Sequence, residues 1–172
     1  IWSNVVPANF YLTGGIGQSA QNEGFTRDWS LPNLTAYCET CAAIGMAMWN
    51  QRMNFTHAES RFADVVEREM YNGILSGISL NVTQDAFFYV NPLSVVPESS
   101  HEDPTKKHVL PVRPGWFGCS CCPTNLVRFV PSVGGYAYAV GENALYVNQF
   151  IASESVVDMP EGPVGLKVST LY

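Results

Sequence analysis

Apolar residues recur along the first half of the chain with the step of a helix. Between Leu34 and Met53, the positions Leu34, Tyr37, Cys41, Ile44 and Met48 follow one another at intervals of three and four, the spacing that lines one face of an α-helix. Asn33 or Thr35 is placed to cap it. A second helix is predicted over Glu59 to Ser76, with Phe62, Val65, Val66, Met70 and Ile74 turned inward and Asp64 and Arg68 spaced as an i,i+4 ion pair. Then the pattern changes. Ala86-Phe87-Phe88-Tyr89-Val90 is aromatic and β-branched between Asp85 and Asn91-Pro92, which predicts a strand. Pro123 suits the first residue of a helix that continues over Asn125 to Val133 in spite of Pro131. Ala144 to Ile151 and Val164 to Tyr172 predict further strands. Two stretches lack a period. In Ile1 to Pro32, Gly14-Gly15-Ile16-Gly17 opens an extended polar loop without the spacing of a phosphate cradle. Ser94 to Pro114, with its prolines and mixed charge, predicts a surface loop. Helices first and strands last predict a mainly α unit with a C-terminal β part, the change falling near Val140.

Composition narrows the function classes. The sequence has 172 residues, 47% of them hydrophobic, enough for one domain with a core and incompatible with intrinsic disorder. Only 14% are charged, against roughly 25% for an ordinary soluble domain, so much of the surface is expected to be covered by something else. The segment, opening on Ile1 and closing within a strand-like stretch, is expected to be a piece of a larger body. Nine Lys plus Arg face fifteen Asp plus Glu, a net charge of -6, so no basic face exists to meet phosphates and nucleic acid is not an expected partner. The longest apolar run, Cys41 to Trp49, is too short against the roughly 20 residues that span a bilayer. A membrane is not an expected partner either. Sequons at Asn33, Asn54 and Asn81 are no more numerous than chance supplies, and the compartment, cytoplasmic or secreted, stays open.

Five cysteines carry the densest chemical signal: Cys38 and Cys41 as Cys-x-x-Cys, then Cys119, Cys121 and Cys122 as Cys-x-Cys-Cys. An odd count in two tight clusters is the spacing habit of a metal site rather than of a disulfide framework. Four such ligands suit a tetrahedral zinc, which prefers thiolates and accepts a carboxylate. Open beside it from spacing alone, and weighed below it, are cysteines packed as small apolar residues or joined in disulfides. Thioredoxin-type redox chemistry is a minor option, because the Cys-x-x-Cys lies in a helical stripe. On a regular helix Cys38 and Cys41 share a side, whereas Glu39 and Cys41 stand about 200° apart, so periodicity favours Cys38 as a ligand. His57, His101 and His108 lie in predicted loops without ligand spacing and receive no role.

Several segments together carry a more specific signal. Gly14-Gly15-Ile16-Gly17, Asn22-Glu23-Gly24-Phe25, Leu31-Pro32-Asn33, Tyr37-Cys38-Glu39-Thr40-Cys41-Ala42, Asn50-Gln51-Arg52-Met53, Val66-Glu67-Arg68, Met70-Tyr71-Asn72-Gly73, Phe88-Tyr89-Val90-Asn91-Pro92-Leu93 and Trp116-Phe117-Gly118-Cys119-Ser120-Cys121-Cys122-Pro123 resemble the ordered motifs of glycoside hydrolase family 127, the β-L-arabinofuranosidases. The resemblance runs from about Gly14 to Tyr146 and covers under half of a typical member. It implies that residues 1–140 are the last part of an (α/α)6 barrel and residues 141–172 the start of a β-sandwich domain. It implies a zinc-dependent retaining glycosidase with Glu39, Cys41, Cys121 and Cys122 as zinc ligands, Cys121 as nucleophile and Glu23 as general acid/base. Glu39 and Cys41 can share one ligand set only if the helix starts at or after Glu39. Glu67 and Tyr89 are implied to border the sugar. By its surroundings alone Glu23 is a solvated loop carboxylate, Tyr89 a packed ring, and Glu67, between Ala63, Met70 and Tyr71, an inward carboxylate in need of a partner.

The implied partners are a plant-type arabinofuranoside substrate and the remainder of the barrel, with a homodimer through the β domain. Kept beside this is a non-catalytic module in which zinc or a cysteine staple holds a small core. As a free polypeptide the segment is expected to be inactive and marginally folded, leaving the Leu34-Tyr37-Ile44-Met48 face uncovered.

Overall fold

The computed structural model describes residues 1–81, 83 and 85–171. A short helix, α1 (Trp2–Ala8), precedes a long irregular stretch. It falls where no period is visible, being too short and interrupted by Pro7. The main helix, α2 (Thr40–His57), begins at Thr40 rather than near Leu34. The reason is local: Cys38 has φ 41 and Glu39 is extended at φ -64, ψ 138, so helical backbone cannot run through them. Leu34 is exposed, and Glu39, not Asn33 or Thr35, stands at the N-cap. Glu39 makes no side-chain capping bond, which frees its carboxylate for another use.

α3 (Ser60–Arg68) continues through a π-helical turn, Glu69–Ile74, and a 3-10 turn, Leu75–Gly77, in agreement with the predicted second helix. Phe62, Val65, Val66, Met70 and Ile74 are all buried as expected. The expected Asp64 to Arg68 ion pair does not form; the Arg68 guanidinium lies over the Phe10 ring at 5.4 Å instead, where a cation gains from the π face. Gly73 lets the π turn approach α2. A Cβ there would lie 2.6 Å from Glu69 Oε2 and 2.9 Å from the Ala43 Cβ.

Residues 86–91 are extended but form no regular strand. They make isolated bridges, Ile78 with Phe87 and Glu39 with Val90, because each flanking segment runs beside them for too few residues to build a ladder. The predicted loop over Ser94 to Pro114 holds α4 (Pro97–Glu102) and a 3-10 turn, Pro104–Lys106. α5 (Cys121–Phe129) starts before Pro123; proline is tolerated there because first-turn N–H groups have no partner within the helix. A 3-10 turn, Val130–Ser132, absorbs Pro131 and leads into α6 (Gly134–Ala137). β1 (Tyr138–Val140) pairs antiparallel with β2 (Leu145–Val147), and β3 (Ser153–Met159) with β4 (Gly162–Val168). β1 and β3 were not expected, β2 is shorter than its apolar run, and Tyr172 of the last predicted strand lies outside the described residues. The expected order of helices first and strands last holds, the strands forming two small antiparallel sheets.

The core joins α2, the π turn, residues 87–90 and α5 through Ile44, Met70, Ile74, Val90, Cys122 and Phe129, each at most 1% exposed. Tyr37 and Ile44 belong to it, so most of the face expected to lie bare is covered by this chain's own α5 and extended segment. Uncovered apolar side chains lie elsewhere, at Leu12, Trp29, Phe55, Trp116 and Val127 among others. Among the described residues no helix is long and apolar enough to cross a membrane.

Behind the core sits an unexpected carboxyl group. Glu69 is fully buried, and neither of its side-chain oxygens has a hydrogen-bond partner among the described residues. Burial lifts its pKa well above the usual carboxylate value of 4.5, with only Arg68 opposing, so it rests as a neutral acid. Glu67, which the sequence singles out, is half-buried. The period itself marks Glu69, three residues after Val66 and four after Val65. Because the folded protein keeps this proton where the unfolded chain releases it, stability falls as pH rises from the unfolded value toward the folded one. Glu69→Gln is expected to remove that slope. Melting temperatures of the two proteins between about pH 4 and about pH 8 check this: the wild type should lose ground to the variant as pH rises.

Candidate active site

Two chain segments meet edge to edge to build the site. The Thr40 N–H donates to the Tyr89 carbonyl at 2.9 Å, and the Asn91 N–H donates to the Cys38 carbonyl at 3.1 Å. Side chains repeat the seam: Thr40 Oγ1 donates to the Phe88 carbonyl at 2.7 Å. The Asn91 amide donates to Thr40 Oγ1, the Gly73 carbonyl and the Cys38 carbonyl at 3.0, 3.1 and 3.3 Å. Glu39, in the last extended residue before α2, and Cys41, in its first turn, thereby face the first turn of α5. The ligand atoms of Glu39, Cys41, Cys121 and Cys122 lie within 4.8 Å of one another.

Within that group the Cys41 and Cys122 sulfurs are 3.2 Å apart, and Glu39 Oε1 lies 3.4 Å from the Cys121 sulfur and 3.7 Å from that of Cys122. All five cysteines are free; the 3.2 Å pair is well beyond the bonded distance of about 2.05 Å. Cys38 stands outside the group. Its left-handed backbone turns the thiol toward Tyr11 and Ala36, against Gly15, where a Cβ would come within 2.6 Å of the sulfur. The conflict between periodicity and ligand choice is thus removed by where the helix begins. Cys119 is exposed and also outside the group.

Burial pushes the Cys41 thiol up to about 12 and raises that of Cys122 as well, as expected for acidic groups crowded into a low-dielectric site. A divalent cation would reverse this, since a coordinated thiol is deprotonated outright. Three sulfurs and one carboxylate oxygen are a zinc-type donor set. Zinc at about 2.3 Å from each sulfur would hold the sulfurs about 3.8 Å apart, so the Cys41 and Cys122 sulfurs, at 3.2 Å, would separate by about 0.6 Å to take the ion. The Asn125 amide donates to the Cys41 sulfur at 3.1 Å and to the Cys121 carbonyl at 3.0 Å, a supporting bond of the kind that orients metal ligands.

Glu23 sits in a tight turn closed by the bridge of Ser19 with Gly24, and its φ is 52, a backbone state that non-glycine residues adopt at some cost. Its carboxylate is on an exposed residue and accepts a hydrogen bond from the Tyr37 hydroxyl at 3.0 Å. Tyr89 is buried, stacked on Phe117 with ring centroids 4.5 Å apart, and its hydroxyl lies 2.9 Å from the Cys121 sulfur. Burial and that thiol raise its pKa, so it keeps its proton. Glu67 is on α3 and is not one of the four clustered ligands. His108 packs against Tyr37 with its Nε2 3.1 Å from the Thr35 carbonyl. Tyr37 and Asn91 are the site residues whose roles sequence reasoning missed. Tyr37 was visible only as a member of an apolar stripe, and its hydroxyl partner is not in that stripe.

Comparison with known proteins gives a consistent match. The family described as β-L-arabinofuranosidase, GH127 catalytic domain, matches residues 1–135. A non-reducing end β-L-arabinofuranosidase of Bifidobacterium longum subsp. longum is 42% identical over 154 residues, 88% of this chain and 23% of that protein. The crystal structure of a GH127 β-L-arabinofuranosidase from Geobacillus stearothermophilus T6 superposes with a TM-score of 0.94 at 44% identity, over 100% of this chain and 27% of that one. A further GH127 β-arabinofuranosidase structure gives 0.88 at 41% identity, over 100% of this chain and 25% of that one. The chain therefore spans about a quarter of the length of these relatives.

The seam makes its own prediction. Asn91→Ala removes the amide that donates to Thr40 Oγ1 and to the Gly73 and Cys38 carbonyls, while the Cys38 carbonyl keeps the backbone N–H of residue 91, so stability should fall by about 1–3 kcal/mol. Chemical denaturation of wild type and variant measures this; an unchanged midpoint would mean that the backbone bonds alone hold the seam.

Proposed function

The chain belongs to the glycoside hydrolase family 127 β-L-arabinofuranosidases, and from that premise we propose that the complete polypeptide is a zinc-dependent retaining glycosidase. It releases β-L-arabinofuranose, or a similar sugar, from plant-type arabinofuranosides. In this proposal residues 1–140 form the closing part of an (α/α)6 barrel and residues 141–172 begin a β-sandwich domain. The observation that carries it is the convergence of Glu39, Cys41, Cys121 and Cys122 within 4.8 Å, beside a tyrosine that holds Glu23.

Zinc on those four residues would supply one thing, a cysteine sulfur kept as thiolate at neutral pH. Cys121 Sγ attacks the anomeric carbon while the bond from that carbon to the leaving oxygen breaks. Glu23 gives its proton to the leaving oxygen. In the second half Glu23 takes a proton from water, the water oxygen bonds to the anomeric carbon, and the carbon–sulfur bond breaks to return Cys121 as thiolate. Two inversions give net retention. Cys121 suits the nucleophile better than Cys122, which is fully buried in the core. Tyr89, against the Cys121 sulfur, and Glu67 are proposed to border the sugar.

The test uses the full-length protein. Brief reaction with an activated L-arabinofuranoside, followed by peptide mass spectrometry, should place the sugar on Cys121; a label on a carboxylate would remove the mechanism. Cys121→Ser should lower turnover on the order of a thousandfold or more, whereas a zinc or cysteine staple without catalysis would tolerate it. Scattering at the zinc edge should find three sulfurs at about 2.3 Å. Cys38→Ser should leave the metal in place and Cys41→Ser should release much of it.

A further inference from the structure

We propose that Tyr37 is a positioning residue that sets Glu23 relative to Cys121, working through its packed partner Tyr89. The proposal rests on the assignment of Glu23 and Cys121 made above. Four side chains form an unbroken line. The Tyr37 hydroxyl donates to Glu23 Oε1 at 3.0 Å, the Tyr37 and Tyr89 rings meet edge to face with centroids 6.4 Å apart and planes at 69°, and the Tyr89 hydroxyl lies 2.9 Å from the Cys121 sulfur. One tyrosine thus holds each member of the pair, and the two rings lie against each other.

Both rings are fixed from outside. Tyr37 is 5% exposed and backed by His108 at 5.5 Å; Tyr89 is 4% exposed and stacked on Phe117. The segment that carries Tyr37 is tied to the loop that carries Glu23 by the Cys38 N–H, which donates to the Gly17 carbonyl at 3.0 Å. Glu23, by contrast, is exposed, and the bond from Tyr37 is the hydrogen bond its carboxylate makes among the described residues. Without it the carboxylate would rotate among solvated rotamers.

The hydroxyl does more than restrain. A carboxylic acid has one oxygen that carries the proton and one that accepts, and a donor on Oε1 assigns the accepting role to that oxygen. Oε2 is left to carry the proton to the leaving oxygen. A retaining enzyme needs its acid/base and nucleophile held at one fixed separation across the sugar, and a packed pair of buried rings is a stiff spacer for it.

Leaving groups supply the test. A poor leaving group needs proton donation; an activated aryl group needs little. In the full-length enzyme Tyr37→Phe keeps the ring and deletes the hydroxyl. It should lower kcat/KM on an unactivated alkyl arabinofuranoside ten- to a hundredfold but change that on a 4-nitrophenyl arabinofuranoside less than about threefold. Labelling of Cys121 and metal content should be unchanged. Glu23→Gln is run alongside and should show the same split more strongly. An equal loss on both substrates, or none, for Tyr37→Phe beside a split for Glu23→Gln overturns the positioning role and leaves the catalytic assignment standing. No split in either variant overturns both.

Discussion

The seam between residues 38–40 and residues 88–91 is what the rest of the site depends on. It is not part of any sheet. A few backbone and side-chain hydrogen bonds, centred on Thr40 and Asn91, join the start of α2 to an extended segment that would otherwise have unpaired backbone groups inside the core. Each bond adds little by itself, but together they tie Thr40 and Asn91 to each other and to both segments. Because this junction stops helical backbone before Glu39, the Glu39 carboxylate, Cys41 and Tyr89 leave it in directions that a longer helix would not allow. α5 then needs only to bring its first turn opposite.

Around this junction, backbone conformation sorts chemically similar groups into different tasks. Cys38 and Cys41 form a Cys-x-x-Cys pair in sequence but do not act together, since the positive φ at Cys38 sends its sulfur into a separate apolar cluster. Glu39 and Glu69 are both buried acids with opposite surroundings. Glu39 has sulfur neighbours and the makings of a cation site, whereas Glu69 is enclosed against Gly14 and Gly73, without a hydrogen-bond partner among the described residues and with only Arg68 to offset a charge. A negative charge is useful in the first place and suppressed in the second, by the same principle that burial penalises the ionised form unless something compensates it.

Low charge content takes on a structural meaning in this light. The groups of the candidate site sit on irregular connections and in the first turns of α2 and α5, while the rest of those helices contributes mostly packing. Glu23 is held in a strained turn that has no period to advertise it, and Tyr37 in an irregular stretch whose helical period the backbone does not follow. This is the usual division in which a rigid scaffold carries chemistry at its loops and element ends.

Much was legible without coordinates. The period of three and four over Phe62 to Ile74 located α3 and its buried face. The order of helices before strands was correct, and the crowding of thiols into two clusters pointed to one shared site, which Cys41, Cys121 and Cys122 build with Glu39, because those signals are local. The family motifs named Glu39, Cys41, Cys121 and Cys122 as one set, and those four converge. Sequence could not show where α2 begins, since Leu34 and Tyr37 fit a helical period equally well whether or not the backbone follows it. Nor could it show that Asp64 and Arg68 stand apart, that Glu69 would be sealed in without a partner, or that Tyr37 would reach Glu23. Those outcomes depend on contacts between segments distant in the chain. The sequence by itself determined which side chains were available and which face of α3 had to be buried; only the tertiary structure decided which face of α2 is buried and which side chains meet, because a backbone turn at Cys38 and a hydrogen-bonded seam at Asn91 set directions that no repeating pattern encodes.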